Sequence, residues 1–311
     1  MTAVKGVAMG AADVIPGVSG GTIAFMTGIY DKLIHSISSI NMTSMKMLFK
    51  GQFKEFWKYI NGTFLLCLAS GILVSILSLA NLMQYLLGTH PIQTWAFFFG
   101  LIVASSIFIL KGIEGWKAKD AVVLVCGIAL GVLVCTLSPT NTPDALWFIF
   151  LSGAIAICAM ILPGISGSFI LLILGKYKYM MGTIAGLTSG SFWESFGTLA
   201  VFGVGALIGL LSFAKFLNWL LGKYHKATLL ALAGFIIGSL VKVWPWNDMQ
   251  AIAISQHPEI LKAPEALQAP AAEIFFSTLD LQIPSAICFA LIGFLLVTGI
   301  EWGSKRLSKT K

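Results

Sequence analysis

Apolar residues run along this chain in long unbroken stretches, near Gly62 to Ala80, Ile92 to Leu110, Ala121 to Leu137, Leu199 to Phe213, Thr228 to Val241 and Ile283 to Ile300. With its flanking residues, each is long enough to cross about 30 Å of hydrocarbon as a helix rising about 1.5 Å per residue. Six spans are therefore predicted. Two further apolar segments carry internal breaks, Pro16-Gly17-Val18-Ser19-Gly20 and Pro163-Gly164-Ile165-Ser166-Gly167. Proline and glycine interrupt helices, and the freed N–H groups find no partner in hydrocarbon, so both breaks need a polar, protein-lined setting. Gly17 to Gly28 and Gly164 to Gly175 are each 11 steps, which as helix is about half the hydrocarbon thickness. Each segment reads as a helical hairpin that dips to mid-depth and returns.

The chain is also internally duplicated. Residues 12–37 align with 159–184 without gaps at 9 identical positions, among them Pro16/Pro163, Ser19/Ser166, Gly28/Gly175 and Tyr30/Tyr177. Leu65 to Ser105 aligns with Leu199 to Ser239, and the last spans pair more weakly around Gly131 and Gly293. A hairpin followed by three spans is an odd number of crossings, so the second copy is expected upside down. The predicted fold is an all-α integral membrane protein of inverted-topology repeats, forming one membrane domain. Repeat 1 covers 1–140, with a re-entrant hairpin at 3–37, an interfacial amphipathic helix at 44–60 and three spans; repeat 2 covers 141–311, with a hairpin at 146–180 and three spans.

Composition supports the membrane assignment: of 311 residues, 57% are hydrophobic and 11% charged, far from the balance of soluble domains. In the re-entrant topology, 16 of the 20 Lys and Arg share one side, leaving Lys176, Lys178, Lys242 and Lys262 on the other. The positive-inside rule then puts both termini in the cytoplasm. Lys46, Lys50, Lys54 and Lys58 recur every four positions beside Phe49, Phe53 and Trp57, the pattern of a helix on an anionic membrane surface. Met1 to Ile15 lacks the basic and apolar regions of a cleaved signal peptide. The five cysteines fall in apolar spans without metal-site spacing, so no metal or other cofactor is expected.

The breaks carry the candidate chemistry. A glycine-rich turn leading into a helix presents backbone N–H groups and the positive end of a helix dipole, which suits an anion. Pro16, Gly17, Ser19, Gly20, Gly21 and Thr22 in the first copy, with Pro163, Gly164, Ser166, Gly167 and Ser168 in the second, are the candidate substrate ligands. Inverted repeats would bring the turns together at mid-depth. Asp13, whose partner in repeat 2 is Met160, is the acidic residue beside a break; carrying a coupling proton, binding a cation and accepting hydrogen bonds from the opposing turn are all open to it. Lys176 and Lys178 are candidates for collecting a phosphate headgroup from the outer leaflet, with a snorkelling anchor as the other reading. Glu194 is either interfacial or part of the entrance. No P-loop pattern is present, which argues against ATP hydrolysis. The scarcity of arginine and intramembrane histidine argues against a membrane phosphatase, and nothing beyond net charge points to nucleic acid.

Gly10-Ala11-Ala12-Asp13-Val14-Ile15-Pro16-Gly17-Val18-Ser19-Gly20-Gly21-Thr22, with its second copy, resembles a bacterial and archaeal family of polyprenyl-phosphate flippases of the PopT type, formerly a domain of unknown function. The resemblance implies a transporter and not an enzyme. It would return undecaprenyl phosphate from the outer to the inner leaflet of the bacterial cytoplasmic membrane for cell-wall synthesis; membrane lipids are further partners, and protons join them if Asp13 carries one, since the resemblance leaves the coupling ion open. Residues 12–22 and 163–168 are the positions onto which that role carries. A channel or exchanger for small soluble anions is the alternative reading of the paired turns.

Overall fold

The computed structural model describes residues 2–13, 19–137, 142–164, 166–186, 192–257 and 279–309. Pro16, Gly17 and Lys262, named above, lie outside the described residues. Among the described residues, all regular structure is helical. The first half comprises α1 (Thr2–Asp13), α2 (Gly20–Met26), α3 (Tyr30–Ser38), α4 (Met42–Phe49), α5 (Phe53–Tyr59), α6 (Gly62–Thr89), α7 (Pro91–Lys111) and α8 (Ala118–Thr136). The second comprises α9 (Leu146–Ile161), α10 (Gly167–Ile173), α11 (Tyr177–Gly186), α12 (Phe192–Ser239), α13 (Met249–Gln256) and α14 (Ile283–Lys309).

All six apolar stretches fall on helices. Among the described residues, α7, α8 and α12 are long and apolar enough to cross a membrane, and α5 with the first half of α6 makes a fourth candidate bent by 68°. Two predicted spans lie on α12, joined at Tyr224 (φ −131°, ψ 44°). The segment 214–227 is therefore not a loop, because no proline interrupts the helix and it continues through Lys223 before it breaks. Residues 44–60 likewise form two short helices, not one: Gly51 adopts φ +74° between α4 and α5, a left-handed conformation that ends α4. The basic row is thus divided between them.

Helix pairs close on glycine, which brings backbones into contact where lipid offers no hydrophobic drive to association. A Cβ on Gly6 would stand 2.4 Å from the Leu68 carbonyl oxygen, and one on Gly153 would stand 2.3 Å from that of Phe202. The two contacts occupy matching positions of the duplication. Gly71 against the Ala3 carbonyl and Gly205 against that of Phe150 repeat the match at 2.2 and 2.0 Å. In the later helices, Gly100 faces the Ala290 carbonyl as Gly234 faces that of Leu124, at 1.9 and 2.4 Å. Gly293 meets the Phe97 carbonyl at 2.1 Å, and Gly127 meets that of Ala231 at 2.5 Å. Contact geometry therefore pairs Gly293 with Gly127, one helical turn from the expected Gly131. Large residues on the same helices face outward, Val122, Val125 and Leu133 on α8 among them. Small residues inward and large apolar residues outward is the arrangement of a helical membrane protein.

Each break is followed by the same turn. Gly28 and Gly175 end α2 and α10 at φ +67° and +65°. Gly28 N–H donates to the Phe25 carbonyl and Ile29 N–H to that of Ala24, while Gly175 donates to Leu172 and Lys176 to Leu171, all at 2.8 to 3.1 Å. The carbonyl just before each glycine is then held by the incoming arm: Lys5 Nζ donates to Thr27 O at 2.7 Å, and Thr142 Oγ1 donates to Leu174 O. Each incoming arm thus meets the far end of its own hairpin. The first hairpin shares a cavity with Phe108 and Ile109, near one end of α7, and the second shares one with Trp95, near the other.

Candidate functional site

The two breaks meet directly: among the described residues, the side chains of Ser19 and Thr22 are both engaged by the backbone of residues 160–164. Ser19 Oγ donates to the carbonyls of Met160 and Leu162 at 3.2 and 3.3 Å. It also accepts from Gly21 N–H at 3.1 Å, capping α2. Thr22 Oγ1 accepts from Gly164 N–H at 2.8 Å, and the Tyr30 hydroxyl donates to the Ile161 carbonyl at 3.3 Å. Ser19, Thr22 and Pro163 are fully enclosed. A Cβ on Gly21 would come within 2.7 Å of the Ile161 carbonyl, so glycine is what lets the hairpins close on each other. Four candidate ligands, Ser19, Thr22, Pro163 and Gly164, thus form the junction between breaks.

Asp13 occupies the start of α2 in hairpin 1. Its Oδ1 accepts from Gly20 N–H at 2.7 Å, placing the protein's own carboxylate at the start of α2. A charge-assisted bond to a helix N-terminus is what an anionic ligand would otherwise supply. Of the roles open to Asp13, hydrogen-bond acceptance is the one seen, and the donor belongs to its own hairpin. At the matching place in hairpin 2 stands Met160, and Ser166 makes no side-chain cap to α10. Ser166 Oγ and Ser168 Oγ instead pair with each other at 2.7 Å.

Ser168 opens into a cavity of about 610 Å³ lined also by Trp95, Phe169, Leu172, Tyr177, Lys242 and Asn247. The Lys242 ammonium lies 4.7 Å from the centre of the Phe169 ring. Ring contact leaves the cation's hydrogen-bonding capacity for a ligand, since an aromatic face attracts charge without accepting a strong hydrogen bond. A cation and a serine hydroxyl beside aromatic and aliphatic side chains, in a lining that also holds Asn247, Gln250 and the Asp248 carboxylate that caps α13, suit an amphiphile with an anionic head. Lys242, Trp95 and Asn247 were not singled out from the sequence. The signal was present in the duplication, which when continued pairs Lys242 with Phe108 and so exposes a cation without counterpart.

The other charged candidates are placed differently. Lys176 is buried, pairs with the Asp144 carboxylate, donates to Thr142 O at 2.7 Å and lies 5.6 Å from the rings of Phe148 and Tyr179. It closes the hairpin and is not free to collect a headgroup, because burying that ammonium demands a full set of partners. Lys178 and Glu194 are exposed. Gly167 sits against the Ala156 carbonyl and Met160 at the beginning of α10. Among the described residues, no cluster of metal-ligating side chains is present.

Comparison with known proteins gives the family of the chain. Residues 9–261 match the model of the VCA0040-like family, described as undecaprenyl phosphate translocase-like. The chain is 43% identical over 304 residues to a protein of Vibrio cholerae named polyprenyl-phosphate transporter, covering 96% of this chain and 95% of that one. It is 35% identical over 254 residues to a Staphylococcus aureus protein of the same name, covering 78% and 84%. These names describe transporters, not enzymes. No solved structure matches. A duplicated pair of broken helices, a cationic cavity beside one of them and this extent of identity lead to one assignment: the chain belongs to the undecaprenyl phosphate translocase-like family.

Proposed function

We propose that the protein carries a polyprenyl phosphate, undecaprenyl phosphate in particular, from the outer to the inner leaflet of the bacterial cytoplasmic membrane, where the carrier is reused. The observation that carries this reading is the Lys242 and Ser168 cavity beside the start of α10. A phosphate moved bare through hydrocarbon faces a large desolvation cost, whereas a prenyl tail stays in lipid throughout. Only the head needs a protein route. In this reading Lys242, Ser166 and Ser168 receive the head, exposed Lys178 helps gather it, and Asp13 holds hairpin 1 in shape. Glu194 lies at the membrane surface beyond the site.

The same reading makes residues 1–140 and 141–311 inverted repeats with re-entrant hairpins, the termini on the cytoplasmic side. Matching glycine contacts, matching hairpin turns and cavities near opposite ends of α7 support it. Rocking one repeat against the other then alternates access to the site. Vesicles carrying the purified protein and a fluorescent polyprenyl phosphate test it. Leaflet exchange is expected to accelerate over protein-free vesicles. Flux of inorganic phosphate without lipid movement, or no acceleration by folded protein, would overturn the proposal.

A further inference from the structure

A second, smaller cavity of about 260 Å³ lies on the opposite end of α7 from the first. Its lining is the first cavity's lining read through the duplication. Phe25 corresponds to Leu172, Tyr30 to Tyr177, Leu229 to Trp95, Phe108 to Lys242 and Ile113 to Asn247, and all ten residues line their respective cavities. The hairpin pairs follow the 12–37 to 159–184 alignment; the other three follow the 65–105 to 199–239 alignment continued without a gap. Two independent stretches of chain converge on each cavity in the same way. This correspondence is a property of the pair, and neither cavity shows it alone.

The pair differs in two respects. The first is the burial of the paired hairpin residues: Tyr177 is 37% exposed and Leu172 41%, whereas Tyr30 is 2% and Phe25 8% exposed. Phe25 and Tyr30 pack edge to face at 5.3 Å, and Asp31 pairs with His225 at 3.0 Å between α3 and the Tyr224 break. The second is charge. Where the larger cavity has Lys242 and Asn247, the smaller one has Phe108 and Ile113; where Lys178 follows Tyr177, Asp31 follows Tyr30; where Met160 leaves α10 uncapped, Asp13 caps α2; the Asp248 carboxylate that also lines the larger cavity is engaged by Ala251 N–H at the start of α13. Each exchange removes a donor or adds a carboxylate. All of them disfavour a phosphate monoester, which carries about −1.5 to −2 charges at neutral pH.

We propose that the cavity between Phe25, Tyr30, Phe108 and Leu229 is the release vestibule of the same path, built to hold the phosphate head weakly. The inference rests on the transport function proposed above. Unequal affinity does not change the final distribution between leaflets, because the protein returns to its starting state after each cycle. It changes which step is slow. Capture at the Lys242 face is tight, and departure from the Phe108 face is fast.

The test compares Phe108→Lys with Phe108→Leu, which alters size without charge, in the fluorescent-lipid vesicles. Phe108→Lys is expected to retain about tenfold more lipid through purification, the scale of one charge-assisted hydrogen bond. Its turnover is expected to fall correspondingly, with Phe108→Leu close to the unmodified protein. A folded Phe108→Lys protein with unchanged retention and turnover would overturn the release role. Should Phe108→Lys not fold, a cysteine-free background carrying Leu229→Cys or Trp95→Cys decides the matter with a water-soluble maleimide. Polyprenyl phosphate is expected to raise labelling at Leu229→Cys and lower it at Trp95→Cys; labelling at Leu229→Cys that lipid never changes overturns the proposal. Transport by the unmodified protein with these results negative removes this inference alone. No transport by the unmodified protein removes the function on which it rests.

Discussion

Hairpin 1 and hairpin 2 are built from the same pieces and end in opposite chemical conditions. Both have an incoming helix, a Pro-Gly break, a seven-residue helix and a left-handed glycine. In hairpin 1 the hydroxyls of Ser19 and Thr22 are spent on the backbone of residues 160–164, and Asp13 satisfies Gly20 N–H. In hairpin 2 the serines bond only each other among the described contacts, and the neighbouring cavity holds Lys242. Polar groups of the first copy thus support the backbone around the break of the second. Unpaired polar groups are costly in a membrane interior, so a break left open for a ligand needs the rest of its backbone satisfied elsewhere. The copies differ at Asp13/Met160 and Lys242/Phe108, and the proposed function assigns these differences to the two roles.

The largest predicted effect comes from erasing that difference. Met160→Asp would place a carboxylate at the start of α10, as Asp13 stands at α2, occupying the phosphate position; transport should fall to background while the protein remains folded. Vesicle exchange together with thermal melting in detergent checks this, and undiminished transport would break the comparison. Next is Lys242→Ala, expected to weaken polyprenyl phosphate binding by about 10- to 100-fold, the range for a hydrogen bond to a charged group, with Lys242→Arg retaining part of it. Equilibrium binding of a fluorescent analogue measures both. Ser166→Ala with Ser168→Ala should cost about tenfold in the same assay, whereas Ser19→Ala should act on stability and not on affinity, since its hydroxyl bonds protein carbonyls. The smallest effect tests the equivalence itself: Gly28→Ala and Gly175→Ala should each cost about 1–2 kcal/mol, equal within error, because their backbones occupy the same left-handed conformation. Unequal losses in unfolding free energy would show that the turns are not equivalent in energy.

Much of this was legible in the chain. Apolar runs marked helices, the Pro-Gly breaks marked interruptions between them, and Gly28/Gly175 marked two turns of the same left-handed conformation. An interruption within 214–227 was legible too, but not its narrowing to Tyr224, because Lys223, Tyr224 and His225 are acceptable helix residues and tertiary packing decides where α12 breaks. Gly51 splits the basic surface segment by its φ, which a four-residue lysine period masks. The site itself was half readable. Pairing Asp13 with Met160 was visible, but its meaning depends on Gly20 N–H lying 2.7 Å from the carboxylate. Lys242 looked like one of several outer-side lysines until its position across the cavity from Ser168 gave it a purpose. Lys176 drew attention for its charge, yet Asp144 and two aromatic rings engage it.

A structure of the protein bound to a polyprenyl phosphate tests the central claim most directly. The account predicts phosphate density between Lys242 Nζ and the hydroxyls of Ser166 and Ser168, with Asp13 still bonded to Gly20 N–H. Phosphate seated against Gly20 and Gly21, with Asp13 displaced and Lys242 unengaged, would contradict it.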